Sequence, residues 1–206
     1  LVVCGLMLAS RDIVGGIDWT KSLAGTPDIG PAAEKGKSKF AGPEIMGKRL
    51  GVIGLGAIGV QVANAAVGLD MEVWGYDPCL SVDGALKLSR AVKHITDVNE
   101  IFANCDYITL HVPLTPDTKY IIGEDAVAKM KDGVRIINIA RGELVDEDVM
   151  AAALACGKVA RYVSDFASDA MLAQKNAVIM PHLGASTPES EDNCAKMAAA
   201  EIREFL

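Results

Sequence analysis

Residues 50–59 read Leu-Gly-Val-Ile-Gly-Leu-Gly-Ala-Ile-Gly, a short apolar run that leads into three spaced glycines. In this pattern Gly54 permits a tight turn, Gly56 lets a phosphate approach bare backbone, and Gly59 lets the next helix pack against the strand. That helix directs unpaired N–H groups and the positive end of its dipole at the loop. The spacing therefore predicts a site for the pyrophosphate of a dinucleotide.

Asp77 closes the next apolar run and indicates which dinucleotide is bound. A carboxylate at this distance from the glycines can accept hydrogen bonds from both ribose hydroxyls of an adenosine, and it repels a 2′-phosphate. Pro78 and Cys79, which follow, supply no cation to offset that repulsion. We therefore predict NAD rather than NADP as the cofactor.

Beyond this loop, strand and helix patterns alternate. Predicted strands cover 50–54, 72–76, 91–95, 107–111, 134–139, 162–165 and 177–180, and predicted helices cover 58–69, 83–89, 97–104, 124–131 and 146–156. This alternation predicts an α/β fold, a Rossmann-type doubly wound parallel sheet with right-handed crossovers. Ligands of such sheets bind beyond the carboxyl ends of the strands.

The N-terminal part of the chain, before the first predicted strand, does not show this alternation. Residues 1–11 read as an apolar helix, whereas residues 15–43 are rich in glycine and proline and show little periodicity. We expect an arm without regular structure that packs on a partner subunit or a neighbouring domain, with Trp19 as one anchoring contact; a plain linker is the alternative. The predicted organisation is one NAD-binding domain over 1–206, made of a helix and arm (1–44) and a Rossmann core (45–206).

Composition excludes several classes of protein. The net charge of −7 and the pI near 5.0 argue against a nucleic-acid partner or an anionic membrane partner. Five cysteines form no Cys-x-x-Cys pair, which favours reduced thiols in a cytoplasmic protein and offers no metal site. The apolar run 1–9 is too short to span a bilayer. The chain begins at Leu1 and stops inside a helical pattern, 194–206, so we interpret it as a fragment of something longer.

Polar residues follow three of the later strands, and there the sequence resembles a known family. The motifs are Asn-Ile-Ala-Arg-Gly-Glu-Leu-Val-Asp at 138–146, Pro-His-Leu-Gly-Ala-Ser-Thr at 181–187 and His-Val-Pro-Leu-Thr at 111–115. They resemble the D-2-hydroxyacid dehydrogenases, and within that family the phosphoglycerate dehydrogenases. The resemblance covers nearly all of the chain but only the family's nucleotide-binding domain. The substrate-binding domain of the family is absent from this chain.

The chemistry of three residues can be argued directly. Oxidation of a 2-hydroxy acid needs a base for the hydroxyl proton, and His182 suits that role because imidazole takes and returns a proton near neutral pH. The substrate carboxylate needs a cation, and the planar fork of Arg141 can grip it bidentately. Asp165 would hydrogen-bond the nicotinamide carboxamide and so select the ring face that is offered.

The resemblance implies further site residues. It implies that the backbone of Ala57 and Ile58 contacts the pyrophosphate. It also places Arg141 and His182 along the cofactor, together with five further residues: Val112, Pro113, Ile139, Ala140 and Gly184. The family also has a glutamate five residues after the Asp165 position, where it raises the pKa of the catalytic histidine. This chain has Ala170 there, so we predict that Asp169, one residue earlier, takes that role if the loop 167–171 shifts; the alternative is that the histidine lacks this support. His94 and His111 are interpreted as structural.

Three functions remain open from the sequence. The leading hypothesis is an NAD-dependent oxidoreductase domain that transfers a hydride between NAD and a small D-2-hydroxy acid, 3-phosphoglycerate in serine biosynthesis, and that forms a homo-oligomer, a dimer. A glyoxylate or hydroxypyruvate reductase is the alternative enzyme. A non-enzymatic, NADH-responsive protein of the corepressor kind is the alternative outside enzymes, and it gains ground if Asp169 does not reach His182.

Overall fold

The computed structural model describes residues 1–205, and these form one seven-stranded sheet. The strands are β1 (Arg49–Ile53), β2 (Glu72–Tyr76), β3 (Lys93–Ile95), β4 (Tyr107–Leu110), β5 (Val134–Asn138), β6 (Val159–Ser164) and β7 (Ala177–Ile179). All neighbouring strands are parallel and lie in the order β3-β2-β1-β4-β5-β6-β7. The predicted doubly wound α/β fold is confirmed.

Helices connect the strands and precede the sheet. They are α1 (Val2–Ser10), α2 (Ile13–Ser22), α3 (Ile29–Gly36), α4 (Ala57–Gly68), α5 (Val82–Lys87), α6 (Val98–Asn104), α7 (Glu124–Lys129), α8 (Glu147–Cys156), α9 (Asp169–Leu172) and α10 (Pro188–Phe205). Two 3₁₀ turns cover Lys37–Phe40 and Gly142–Leu144. Most predicted boundaries differ from these by one to three residues, and β6 begins earlier than predicted, at Val159.

The prediction that residues 15–43 lack regular structure was wrong. Helices α2 and α3 and the first 3₁₀ turn lie in this segment, and they pack on one another through Trp19. Its ring lies 5.3 Å from that of Phe40, and a Cβ added to Gly36 would come within 2.3 Å of it. Glycine therefore serves here as a packing residue rather than as a helix breaker, and side-chain contacts outweigh its low helix propensity.

Helices cover both faces of the sheet and bury two apolar clusters. One cluster joins α1 and α4 to the side chains of one face, including Leu50, Val52 and Val73. The other joins α6, α7 and α8 to the opposite face, including Ile108 and Ile136. Because both faces are buried, the strands are mainly apolar, and β4 is buried at every residue.

Helix α1 comes before β1 in sequence but packs on β5 and β6. Gly5 allows this close approach, since a Cβ there would lie 3.2 Å from the Cγ2 of Ile137. The guanidinium of Arg135 adds a polar contact by donating to the carbonyl oxygen of Ala9 at 2.9 Å. The helix closes the sheet face that α4 leaves open beyond β4.

The strand order reverses between β1 and β4. From β1 the chain continues outward to β2 and β3, and from β4 it continues in the other direction to β7. Loops that leave such a point on opposite faces open a crevice beyond the carboxyl ends of the strands, where ligands of this fold bind. The glycine loop follows β1, so it lies at this reversal.

The described residues contain no helix that is both long and apolar enough to cross a membrane. Four cysteines, Cys4, Cys79, Cys156 and Cys194, are exposed free thiols, and Cys105 is a buried one. Burial raises the pKa of Cys105 to about 12.

The thiols should therefore react in two classes. Because the thiolate is the reactive species, four cysteines should be modified rapidly by an aromatic disulfide reagent, and Cys105 only after unfolding in denaturant. Absorbance of the released thiol, followed with and without denaturant, measures both classes. A Cys105→Ala variant should lose the slow class alone; five equally fast thiols in the native chain would contradict the buried position of Cys105.

Candidate active site

The three glycines of the loop after β1 occupy three different environments. Gly54 has φ +96°, and a Cβ there would lie 2.4 Å from the carbonyl oxygen of His111. A Cβ on Gly59 would lie 1.9 Å from the carbonyl oxygen of Gly54. Gly56, in contrast, is exposed with no atom within 4 Å of a Cβ position. The first and third glycines thus close the turn, and the second leaves open space for a ligand.

This loop leads directly into the N-terminus of α4. Gly56 is the N-cap residue and has no side chain to satisfy the first N–H groups of the helix. Ala57 and Ile58, which open the helix, are exposed. The free N–H groups and the dipole favour a phosphate at this position, as the spacing predicts.

Asp77 lies beside the loop and is fixed by two backbone N–H groups. Leu55 N donates to its Oδ2 at 2.8 Å, and Cys79 N donates to its Oδ1 at 2.8 Å. Each carboxylate oxygen has a further lone pair, so both remain able to accept from ribose hydroxyls. The hydrogen bond from Leu55 ties the end of β2 to the glycine loop.

A cleft of about 490 Å³ brings several predicted residues together. It is lined by residues from the glycine loop, from the ends of β4 and β5 and from the segment after β7, among them Ile58, His111, Ile139, Arg141, His182 and Gly184. The first residues of the chain, Leu1 to Val3, line its other side, which the sequence did not predict. The residues that follow distant strands therefore share one cavity.

Three further predicted cofactor residues, Val112, Pro113 and Ala140, adjoin in sequence the residues that line this cleft. Val112 approaches the glycine loop, since its Cγ1 would lie 3.0 Å from a Cβ on Gly54. Pro113 follows it and accepts a hydrogen bond from Thr118 Oγ1 at 2.6 Å. Ala140 is held after β5 by a hydrogen bond from its N–H to Asn138 Oδ1 at 3.2 Å.

Asp165 has the most informative environment in the site. The residue is only 2% exposed, and neither carboxyl oxygen has a hydrogen-bond partner among the described residues. Gly184 leaves room beside it, because a Cβ there would lie 3.5 Å from Asp165 Oδ2. Buried polar atoms rarely lack partners, so a donor from a ligand fits this place. The carboxamide N–H₂ of a nicotinamide is such a donor.

Arg141 and His182 are both exposed to the cleft and free to act on a substrate. The Nη1 of Arg141 donates to Ala140 O at 2.6 Å, which leaves the other donors of the guanidinium available. The His182 ring meets the Phe166 ring edge-on, with centroids 5.0 Å apart. Phe166 thus supports the imidazole from the strand exit that carries Asp165.

The structure does not bring Asp169 to His182. Asp169 opens α9, is exposed, and within the described chain makes no hydrogen bond or ion pair with that histidine. The role predicted for Asp169 therefore has no contact to support it.

His111, which the sequence interpretation left as structural, lines the cleft. Its Nε2 lies 3.0 Å from Thr109 Oγ1, and burial lowers the pKa of His111 to about 4. The imidazole is therefore neutral at physiological pH. Its position directly after an apolar strand, at the reversal of strand order, is the signal that could have placed it in the cleft.

His94, the other histidine interpreted as structural, lies in β3, at the far edge of the sheet. Residues 1–205 contain no group of potential metal ligands.

Comparison with known proteins identifies the family. The sequence model described as "D-isomer specific 2-hydroxyacid dehydrogenase, NAD binding domain" matches residues 5–184. The chain belongs to this family. The recognition made from the three motifs is confirmed, and so is NAD as the cofactor of the domain.

Relatives of this NAD-binding domain are themselves longer dehydrogenases. D-3-phosphoglycerate dehydrogenase of Methanocaldococcus jannaschii is 40% identical over 176 residues, which are 82% of this chain and 33% of that protein. The human D-3-phosphoglycerate dehydrogenase is 37% identical over 176 residues, 82% of this chain and 32% of that protein. The chain thus spans about a third of the length of these relatives.

Solved structures of D-2-hydroxyacid dehydrogenases share the fold. D-lactate dehydrogenase from Aquifex aeolicus, in a complex with NAD and lactic acid, superposes with a TM-score of 0.79 at 27% identity and covers 98% of this chain and 64% of that one. The apo D-mandelate dehydrogenase of Rhodotorula graminis gives a TM-score of 0.81 at 26% identity, over 97% of this chain and 59% of that one.

Replacing Asp165 should separate stability from cofactor binding. Leucine has a similar branched shape and no polar atoms, so Asp165→Leu should raise the free energy of unfolding by about 1 kcal/mol or more, because an unpartnered buried carboxyl group is removed. The same change should weaken NADH binding about tenfold or more. Denaturant unfolding and NADH fluorescence titration measure the two effects. An exposed control, Asp117→Leu, should change neither; a loss of stability with unchanged NADH affinity would contradict the assignment.

His111 should make the stability of the chain depend on pH. The unfolded chain takes up a proton near pH 6.5 and the folded chain only near pH 4, so stability is full above pH 6.5 and falls as the pH is lowered between these values. In His111→Gln this contribution is absent, and the wild type should lose up to about 3 kcal/mol more than the variant on going to pH 4. Urea unfolding at several pH values measures the difference. Parallel pH profiles for the two proteins would show that His111 titrates normally.

Proposed function

We propose that this chain is the NAD-binding domain of a phosphoglycerate-type dehydrogenase, which oxidises the hydroxyl of 3-phosphoglycerate for serine synthesis. The observation that supports it most is the buried, unpartnered Asp165 in a cleft shared with Arg141 and His182. The substrate follows from the relatives, several of which are named D-3-phosphoglycerate dehydrogenase at 35–40% identity.

The proposed cofactor contacts divide between the two ends of the site. At the adenosine end, the Gly54–Gly59 loop with Ala57 and Ile58 would hold the pyrophosphate, and Asp77 the ribose. At the nicotinamide end, Val112, Pro113, Ile139, Ala140 and Gly184 would line the ring, and Asp165 would accept from its carboxamide. NAD supplies the hydride acceptor of the reaction.

The proposed roles of the reactive residues follow from the polar groups that they leave available to a substrate. Arg141 retains donors that can bind the substrate carboxylate and polarise the neighbouring oxygen. The imidazole of His182 can accept the hydroxyl proton of the substrate in oxidation and return it in reduction. Phe166 fixes the orientation of that ring. Asp169 would have to move with α9 before it could support His182.

A homo-oligomer, most simply a dimer, is the proposed assembly. Four aliphatic side chains of α2 and α3 are exposed, Ile13, Val14, Ile17 and Ile29, and a groove of about 610 Å³ runs between these helices beside Trp19 and Phe40. Exposed apolar surface of this extent favours contact with another protein surface. The free cysteines support a reducing, cytoplasmic location.

Two other functions predict different outcomes of the same experiments. The Aquifex aeolicus and Rhodotorula graminis neighbours act on lactate and mandelate by name, and a glyoxylate or hydroxypyruvate reductase would share the same site. The missing contact between Asp169 and His182 favours a protein that binds NADH without turnover, the corepressor-like alternative.

NADH should bind to the 206-residue chain with a fluorescence change and a raised unfolding temperature, whereas turnover by this chain alone should be slow. In the longest natural form of the protein that contains this chain, 3-phosphoglycerate should support NADH formation. His182→Asn should lower kcat by about a hundredfold or more and change NADH affinity much less, since the main loss is that of proton transfer.

The comparison substrates decide between the alternatives. A preference for D-lactate, glyoxylate or hydroxypyruvate over 3-phosphoglycerate and its oxidised product would overturn the substrate assignment but keep the dehydrogenase. Tight NADH binding without turnover of any of them would favour the binding protein. A folded chain that does not bind NADH would refute the cofactor site itself.

A further inference from the structure

A polar recess lies at the amino-terminal ends of the strands, opposite the end of the sheet that carries the cleft. It has a volume of about 130 Å³ and is formed where β1, β4 and β5 begin. Its charged and hydroxyl-bearing lining residues are Lys48, Asp106, Tyr107, Lys131, Asp132 and Arg135. The residues proposed to bind NAD all follow the carboxyl ends of strands, so this recess is separate from that site.

Tyr107 brings an unsatisfied polar group to the recess. The residue is fully buried at the start of β4, and its hydroxyl has no hydrogen-bond partner within residues 1–205. Burial raises the pKa of Tyr107, so its hydroxyl keeps its proton and remains a donor at neutral pH. Such a group is expected to have an acceptor, from either water or a bound ligand.

Two cations of the recess, Lys48 and Arg135, form no ion pair with its carboxylates. The Asp106 carboxylate pairs with Lys131, and Asp132 pairs with Lys158 at 2.8 Å. Lys48 is partly buried and forms no ion pair in the described part of the chain. Arg135 donates from Nε and Nη1 to the carbonyl oxygens of Ala9 and Gly133, and it forms no ion pair with any carboxylate that the structure describes. An excess of positive charge therefore faces the buried hydroxyl.

The positions of Tyr107 and Arg135 suit a shared ligand. The two residues are paired across β4 and β5, so their side chains leave the same face of the sheet. The guanidinium carbon of Arg135 lies 5.5 Å from the centre of the Tyr107 ring. Since one water occupies about 30 Å³ of liquid, the recess can hold a few waters or one tetrahedral anion of five heavy atoms.

We propose that this recess binds a small oxyanion of the phosphate or sulfate class, held by the Tyr107 hydroxyl, the Lys48 ammonium and the Arg135 guanidinium. The hydroxyl donates one hydrogen bond to the anion, and the two cations supply the charge-assisted contacts that make oxyanion binding strong. Asp106 and Asp132 stay paired with their lysines and do not oppose the anion. Because the anion would bind only the folded chain, a higher anion concentration would stabilise the region where β1, β4 and β5 begin.

Inorganic phosphate is the probe for this site, titrated into the full chain at constant ionic strength and followed by backbone amide NMR. Saturable shifts are expected at Gly133 and Arg135. Shifts at Gly56 report separately on phosphate at the glycine loop. A residue-resolved signal is needed because phosphate also stabilises proteins generally by exclusion from their surface.

Variants of the recess should weaken phosphate binding about tenfold, because each loses one charge-assisted or buried hydrogen bond. The variants are Tyr107→Phe and Lys48→Ala, and the exposed Lys175→Ala is the matched control for loss of one charge. Lys48→Ala lies near the surface and decides the question if Tyr107→Phe folds poorly. The proposal is overturned if the Gly133 and Arg135 amides show no saturable shift, or if both variants bind like the control.

Sulfate and glycerol phosphate identify the source of the anion. Competition by sulfate with exclusion of glycerol phosphate would support a free inorganic oxyanion, as the small volume suggests. Equal binding of glycerol phosphate would support the same contacts with a phosphomonoester. These results are independent of NADH binding, so failure of either proposal leaves the other testable.

Discussion

The contact between Gly59 and the carbonyl oxygen of Gly54 is the constraint on which the site depends. No side chain fits there, since a Cβ on Gly59 would lie 1.9 Å from that oxygen. The close approach sets α4 against β1 and aims its first N–H groups across Gly56. The neighbouring backbone of His111 closes the other side of the same turn, so the start of α4 and the end of β4 are positioned together.

The central part of the fold could be predicted from the sequence because its signals are local. The apolar run before Gly54 and the acid at Asp77 predict a strand, a turn and a second strand within thirty residues. The structure adds the hydrogen bonds that join them, such as the one from Leu55 N to Asp77. The α2–α3 segment was mispredicted for the opposite reason. Its helices depend on contacts such as Trp19 with Phe40, which no periodicity reveals.

The candidate site divides in the same way. Gly54, Arg141 and His182 could be selected because each follows a predicted strand, and parallel strands end at one edge. The lack of a hydrogen-bond donor to Asp165 among residues 1–205 could not be predicted, since it depends on the space that every neighbouring loop leaves unfilled. The distance between Asp169 and His182 depends on the path of the α9 loop, which sequence spacing does not determine. Cofactor recognition is thus built into the domain more completely than proton transfer.

The position of α1 has a consequence for how the chain folds. Its bond to Arg135 joins residues 126 positions apart, and its apolar face rests on β5 and β6. Closing so long a loop costs entropy that is recovered only when those strands exist. Helix α1 should therefore dock late, after the sheet is assembled. It is made before the strands on which it packs, so Val2, Leu6 and Ala9 stay exposed until β5 and β6 have emerged.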